Sequence, residues 1–253
     1  MDFEAEMKAM VLCAGFGTRM GDMTRELPKP MLPLDDHPLL AYLLSHLKSQ
    51  GFEQVAINLH FLPGAIRDWF GNGSGGQIQL TYSYEETLLG TAGAVKKMAG
   101  FFQDEDAFLV QYGDVLTDQD FKGMMQFHRE HQALATLLVH ERVNSNSVVS
   151  LAPDGRVIGF LERPTEAIRQ TVKSPWVNSG VCVCSPEILS FIPANQACDL
   201  PRDIFTPLVD TGRLFGFPLS GYRCAIDSPE RLAEARAALA EGRCRIHPLA
   251  PPG

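Results

Sequence analysis

The chain has 253 residues, 45% of them hydrophobic, and a formal net charge of -8. That length fits one large α/β domain or two small ones. The acidic balance argues against general nucleic-acid binding, which needs a basic surface, and no apolar run reaches the ~18 residues that suggest a membrane span. The first residues, Met1-Asp2-Phe3-Glu4-Ala5-Glu6, are acidic and lack the basic start of a signal peptide. Six cysteines contain no C-x-x-C pair, which points to a reducing cytoplasm. Cys182 and Cys184 share one face of an expected strand and read as core.

In chain order, Ala9 to Leu12 reads as a short apolar strand that runs into a glycine-rich turn. Leu39, Leu40, Leu43, Leu44 and Leu47 fall on one helical face, and Gly51 ends that helix. Val55 to Leu59 is a strand, Ala65 to Phe70 a short helix, residues 71–76 a mobile turn, and Ile78 to Tyr84 a strand. Thr91 to Phe101 reads as a helix, and Ala107 to Tyr112 as a buried strand that ends at Gly113-Asp114. Strand and helix alternating in this way imply a Rossmann-like α/β fold, with a mixed, mainly parallel sheet and helices on both faces.

His128 and His131 sit three apart on an expected helix and read as surface residues. The second half is richer in short strands: Ala135 to Val139, Val148 to Leu151, Val157 to Leu161 and Val177 to Val183. This reads as a small β-rich subdomain. A helix from Pro229 to Glu241 carries Leu232, Ala235 and Leu239 on one stripe, and Pro248 to Gly253 reads as a frayed tail. The expected organisation is one domain over residues 1–245, in two halves, 7–133 and 134–245. No internal repeat follows that could build an additional solenoid domain.

The glycine-rich segment carries the most chemistry. It runs Leu12-Cys13-Ala14-Gly15-Phe16-Gly17-Thr18-Arg19-Met20-Gly21, and Pro28-Lys29-Pro30 follows. Backbone N–H groups exposed at Gly15 and Gly17 can close around anionic oxygens, and Arg19 and Lys29 add aimed charge. The spacing is not the dinucleotide fingerprint, because its third glycine falls one place late, and no Gly-Lys-Ser/Thr of a P-loop follows. Asp114 closes an apolar strand, where a carboxylate needs a cation or hydrogen bonds. No histidine cluster has zinc-ligand spacing.

These motifs, with Leu89-Gly90-Thr91-Ala92-Gly93, Tyr112-Gly113-Asp114, Phe160-Leu161-Glu162-Arg163-Pro164 and Val177-Asn178-Ser179-Gly180 in that order, resemble the sugar-1-phosphate nucleotidyltransferases. Within that family they are similar to the mannose-1-phosphate and heptose-1-phosphate guanylyltransferases. The resemblance runs from about residue 7 to about residue 240, and it implies a nucleotide-binding half (7–133) and a small β-rich sugar-phosphate-binding half (134–245). It implies that an NTP and a sugar 1-phosphate give an NDP-sugar and pyrophosphate, with Mg²⁺ as cofactor, in the cytoplasm, without nucleic acid or membrane, and with a homodimer or larger as the family habit.

By that resemblance Leu12, Ala14, Gly15, Gly17 and Thr18 cradle the nucleotide. Arg19 pulls on the departing pyrophosphate, and Lys29 bridges the α-phosphate and the sugar phosphate. Glu85, Gly90, Thr91 and Ala92 face the base and ribose, while Gly113, Ser147, Glu162, Arg163 and Asn178 serve the sugar phosphate. Asp114 is a metal ligand. The sugar enzymes usually read D-I-G-T-P-E where this chain has Ala225-Ile226-Asp227-Ser228-Pro229-Glu230, so Asp227 is expected to replace the carboxylate absent at Ala225.

Glu85 is acceptor-only, whereas uridylyl- and thymidylyl-transferring relatives commonly place Gln there. Guanine offers two adjacent donors, so the residue favours GTP, although a solvent-exposed Glu85 is the competing reading. Two alternatives stay open. One is a uridylyl-, thymidylyl- or cytidylyltransferase acting on another sugar or alcohol phosphate. The other is a catalytically silent nucleotide-sugar-binding regulatory subunit, suggested by Ala225.

Overall fold

The computed structural model describes residues 7–73, 78–143 and 145–250. The acidic N-terminal residues 1–6, residues 74–76 of the expected turn and residues 251–253 of the expected tail lie outside the described residues. In chain order the elements begin with β1 (Met7–Leu12), β2 (Pro33–Leu34), β3 (His37–Pro38), α1 (Leu39–Ser49), β4 (Phe52–Leu59), α2 (Pro63–Phe70), β5 (Gln79–Tyr84), α3 (Gly90–Lys97) and α4 (Ala99–Phe102). Then come β6 (Phe108–Tyr112), β7 (Val115–Thr117), α5 (Phe121–Glu130), β8 (Ala135–Glu141), β9 (Ser147–Leu151), β10 (Val157–Glu162) and α6 (Glu166–Thr171). The rest are β11 (Trp176–Cys184), α7 (Thr206–Leu208), β12 (Leu214–Pro218), β13 (Arg223–Ala225) and α8 (Pro229–Ala240). These elements form two compact units interleaved along the chain. The first takes Met1–Leu88, Val110–Lys122 and Ser220–Gly253, and the second Leu89–Leu109 and Gly123–Leu219. The break expected at 133/134 falls inside the second unit.

In the first unit the strand order is β6-β1-β4-β5. β1 runs parallel to β4, with Val11 opposite Ile57, and β4 runs parallel to β5. Ala9, Met10, Val11, Val55, Ala56 and Ile57 are all fully buried. Parallel strands covered on both faces need such unbroken apolar runs rather than alternation. Leu39, Leu40, Leu43, Leu44 and Leu47 of α1 are buried as expected, but so are Ala41, Tyr42 and His46, so this helix is enclosed on most sides.

α8 starts where Ser228 caps it by accepting from the Arg231 N–H, with Pro229 in its first turn. Its buried stripe is Leu232, Ala235 and Ala238 rather than Leu239. The described part of the tail is tied down: Leu249 is buried and its N–H donates to Ala41 O. The expectation of fraying is therefore corrected for residues 248–250.

In the second unit the order is β12-β8-β11. β8 pairs antiparallel with β11 and parallel with β12, which makes the sheet mixed. β9 and β10 form an antiparallel pair. The observed α/β class, a mixed and mostly parallel sheet with helices, is the one the alternation implied. The helix expected over Thr91 to Phe101 is broken at Met98 (φ -94°, ψ 16°), after which α4 resumes at Ala99. α6, β12 and β13 have no counterpart among the expected elements. Cys182 and Cys184 are core, with sulfurs 3.7 Å apart.

His128 corrects the surface reading. It is buried and bonded to the Thr136 and Ser185 hydroxyls at 3.0 Å each. Burial, assisted by Arg129, pushes its pKa down to about 4.

Candidate active site

The first unit builds the glycine loop at the carboxyl end of β1. Gly17 adopts φ 67°, which only a residue without Cβ takes at low cost. Its carbonyl accepts from Met20 N–H at 2.9 Å and from the Thr24 hydroxyl at 3.0 Å. These bonds curl Thr18–Thr24 into a 3₁₀ turn that carries Arg19 outward. A Cβ on Gly15 would meet no atom within 4 Å, so the space over the loop is open. Phe16 is 46% exposed and stands edge-on to His60 at 5.1 Å.

Beside the loop, Gly113 donates to Leu12 O at 2.9 Å. A side chain at 113 would lie 2.7 Å from that oxygen and 2.8 Å from the Cys13 sulfur. The Gly-Asp dipeptide is thus a close-approach device that brings Asp114 against the loop. Lys29 starts a 3₁₀ turn after the extended Pro28 and is nearly buried. Its Nζ donates to Asp114 Oδ2 at 2.6 Å, with side chains 10% and 25% exposed. Asp114 O accepts from Ile226 N–H at 2.8 Å, and Val115 pairs with Ala225 across β7 and β13.

Asp227 follows at once and meets Arg19 Nη1 at 3.5 Å, an exposed and screened contact. Four residues from distant parts of the sequence, Arg19, Lys29, Asp114 and Asp227, therefore stand as two cation–carboxylate pairs. Burial, and then the charge of Asp114, pushes the Cys13 thiol up, so it is no thiolate nucleophile.

Glu85 is not solvent-exposed: its relative accessibility is 1%. Oε1 accepts from Asn58 Nδ2 at 2.8 Å, and Asn58 Oδ1 accepts from Cys13 N–H, also at 2.8 Å. The Glu85 backbone is held on both sides, its N–H donating to Leu59 O and its carbonyl meeting His60 Nδ1. A carbonyl only accepts, so that nitrogen of His60 carries the proton. Asn58 was missed from sequence. Its signal was a lone amide inside the apolar run Val55-Ala56-Ile57-Asn58-Leu59.

The second unit holds the remaining motif residues. At the start of α3, Gly90 has φ 71°, and a Cβ there would sit 2.5 Å from Cys198 O. That carbonyl accepts from Ala92 and Gly93 N–H at 2.9 and 3.1 Å. The Thr91 hydroxyl donates to Asp199 Oδ2 and accepts from Leu200 N–H. The N–H of Ala92, expected to face the nucleotide, is thus engaged by residue 198, a partner no motif announced.

Ser147 is buried, and its hydroxyl accepts from Asn178 N–H at 2.9 Å. The Ser147 side chain is thus a strut that fixes the Asn178 backbone. Asn178 Oδ1 in turn accepts from Gly180 N–H. Burial, and then the nearby Asp199, raises the pKa of Glu162. Arg163 is 80% exposed and lies 3.6 Å from Glu162.

Among the described residues no cluster of three or more His, Cys, Asp or Glu could hold a metal by itself. Mg²⁺ is commonly bound by one or two carboxylates completed by substrate phosphates and water. Asp114 and Asp227, on adjoining segments, fit that donor set. Among the described residues no helix is long and apolar enough to cross a membrane.

Comparison with known proteins shows the family. A family model described as nucleotidyl transferase matches residues 8–223. The chain is 36% identical over 224 residues to a UTP–glucose-1-phosphate uridylyltransferase of Synechocystis, covering 83% of this chain and 57% of that protein. It is 31% identical over 242 residues to a mannose-1-phosphate guanylyltransferase of Mycobacterium tuberculosis, covering 94% of this chain and 66% of that protein. The chain thus spans less than two thirds of either relative. In fold it superimposes on the UTP-bound UGPase of Acinetobacter baumannii with a TM-score of 0.80 at 19% identity, covering 92% and 93% of the two chains.

Proposed function

We propose that this chain, which belongs to the nucleotidyl transferase family, transfers a nucleotidyl group from an NTP to a sugar 1-phosphate. The observation that carries this is the 2.6 Å Lys29–Asp114 pair beside the glycine loop. An oxygen of the sugar phosphate attacks the α-phosphorus in line, the bond to the β-phosphate oxygen breaks, and pyrophosphate leaves with its electron pair. The nucleophile is already anionic, so no general base or covalent residue is needed. Positioning and charge neutralisation carry the rate.

In this reading Leu12, Ala14, Gly15, Gly17 and Thr18 hold the nucleotide phosphates, Arg19 the departing pyrophosphate, and Lys29 the two reacting phosphates. Gly90, Thr91 and Ala92 lie along the ribose. Gly113, Ser147, Glu162, Arg163 and Asn178 form the sugar-phosphate side. Mg²⁺, held by Asp114 and Asp227, would supply charge neutralisation on the triphosphate. The six cysteines are buried and free, which supports a reducing cytoplasm as the working compartment.

The base is guanine and the sugar manno-configured. A buried, anchored carboxylate at Glu85 supports the base, because its oxygens only accept and guanine offers an adjacent ring N–H and amine, and the 31% identity to the Mycobacterium tuberculosis mannose-1-phosphate guanylyltransferase supports the sugar. Uridylyl transfer to glucose 1-phosphate is the second reading, favoured by the identity to the Synechocystis protein. Pyrophosphate release measured for GTP, UTP, dTTP and CTP, each with mannose 1-phosphate and glucose 1-phosphate, separates the two. Turnover with UTP and none with GTP overturns the guanine reading. Nucleotide-sugar binding without turnover by any pair would mark a silent regulatory subunit instead.

A further inference from the structure

We infer that His60 is a further nucleotide-contacting residue, whose Nε2 accepts a hydrogen bond from the exocyclic amine of guanine. This rests on the guanylyl-transfer reading, in which the glycine loop holds the NTP phosphates.

His60 directly follows β4. Its Nδ1 meets the Glu85 carbonyl at 2.8 Å, and a carbonyl only accepts, so Nδ1 carries the proton. In the neutral ring Nε2 is then the acceptor. The backbone that sets this tautomer is itself held, since Glu85 N–H donates to Leu59 O at 2.8 Å. Nε2 has no hydrogen-bond partner among the described residues. It is not shut away either. Among the described residues the buried, unpaired side-chain polar atoms are Tyr82 OH, Gln111 Oε1 and Tyr222 OH, and His60 is only half-buried. Nε2 therefore opens to solvent. The Phe16 ring stands against the imidazole at 5.1 Å and 85°, and Phe61 braces Phe16 at 5.7 Å. An oriented acceptor thus stands beside the glycine loop.

Chemistry and topology say what it meets. Phosphate oxygens only accept, so the triphosphate offers Nε2 nothing. The donors of a nucleotide are its ribose hydroxyls and its base N–H groups. In the first unit the strand order is β6-β1-β4-β5. The Lys29–Asp114 pair stands where β6 and β1 end, beside the bond from Gly113 N–H to Leu12 O. Neighbouring strands are ~4.8 Å apart, so the end of β4 lies roughly 10 Å from that of β6. The ribose hangs next to the reacting α-phosphate, and the base reaches further, toward β4. In guanine the ring N–H is flanked by a carbonyl whose lone pairs would oppose Nε2, whereas the amine stands clear at the edge.

Calorimetric binding of GTP and of inosine triphosphate (ITP), which lacks only that amine, reads this without requiring turnover. Wild type is expected to bind GTP about tenfold tighter than ITP, the scale of one hydrogen bond. His60→Asn keeps the arm that donates to Glu85 O, because its Nδ2 stands as many bonds from the backbone as the histidine Nδ1. It has nothing in place of Nε2. The variant should bring the GTP-over-ITP ratio to within about threefold of one by weakening GTP, with ITP affinity changed by less than about threefold. A residue that served only to hold the Glu85 backbone would leave the ratio unmoved. If His60→Asn does not fold, His60→Phe, which keeps a ring against Phe16, is read in the same way.

GTP binding with a ratio that the variant leaves at its wild-type value overturns the inference alone, as does a wild-type ratio near one. UTP bound in place of GTP, or neither bound, overturns the guanine reading and the inference with it.

Discussion

Lys29 Nζ and Asp114 Oδ2 stand 2.6 Å apart although 85 positions separate them in the chain. The pair exists because two local devices converge. The extended Pro28 leads Lys29 into a tight turn, and the side-chain-free Gly113 lets Asp114 press against the end of β1. A compact ammonium reaches this distance without needing the planar fork of a guanidinium.

Replacing Lys29 with Gln therefore separates charge from bulk. The expected result is a fall in kcat of about 10²–10³, the usual cost of losing one preorganised electrostatic contact, with a much smaller change in NTP affinity. Lys29→Arg should recover little of the rate, because the fork does not fit where the ammonium does. Steady-state kinetics with separate NTP binding measurements check both statements. Equal losses in binding and kcat would assign Lys29 to ground-state binding.

Asp227 meets Arg19 and sits one residue beyond Ile226, whose N–H bonds to Asp114 O. Asp227→Asn should raise the Mg²⁺ concentration that half-saturates the rate and lower the maximal rate at least about tenfold. A Mg²⁺ titration of initial rates tests this. An unchanged half-saturation point would remove Asp227 from the metal site and leave Ala225 without a replacement.

Glu162, on the sugar-phosphate side of the proposed reaction, carries a cost to the fold. Its pKa is raised, first by burial and then by Asp199. The folded state therefore holds this proton more tightly than the unfolded state does, so the linkage favours folding below the ordinary carboxylate range and is lost as pH rises through the raised value. At neutral pH the charged Glu162 is a net burden. Glu162→Gln should melt higher than wild type at pH 7, by about 1–3 °C, and the gap should close as pH falls through the carboxylate range. The same variant should raise KM for the sugar phosphate about tenfold or more, since a charged acceptor is lost. Thermal melts across pH, with KM values at pH 7, check the two halves.

Much of the first unit was legible in the sequence. Buried parallel strands leave unbroken apolar runs, and Ala9 to Val11 and Val55 to Ile57 are such runs. Gly17 and the Gly-Asp corner were legible because a positive φ at the one and close contacts at Gly113 disfavour any residue with a Cβ. What escaped was set by contacts between distant segments. Asn58 reads as an ordinary strand residue until Cys13 and Glu85 come to either side of it. Ser147 reads as pocket lining until its hydroxyl meets the Asn178 backbone. His128 reads as a polar helix residue, yet Thr136 and Ser185 satisfy both ring nitrogens inside the core. Leu89–Leu109 belongs with residues from 123 onward rather than with the chain before it, and no local pattern encodes that return.

Nucleotidyl transfer itself is tested most directly by ³¹P NMR of the protein mixed with GTP, mannose 1-phosphate and Mg²⁺. Pyrophosphate and a nucleoside diphosphate sugar should rise together in equal amounts, with both signals abolished in Lys29→Gln. Release of orthophosphate instead, or no new resonance with any NTP and sugar 1-phosphate pair, would contradict the transfer reaction.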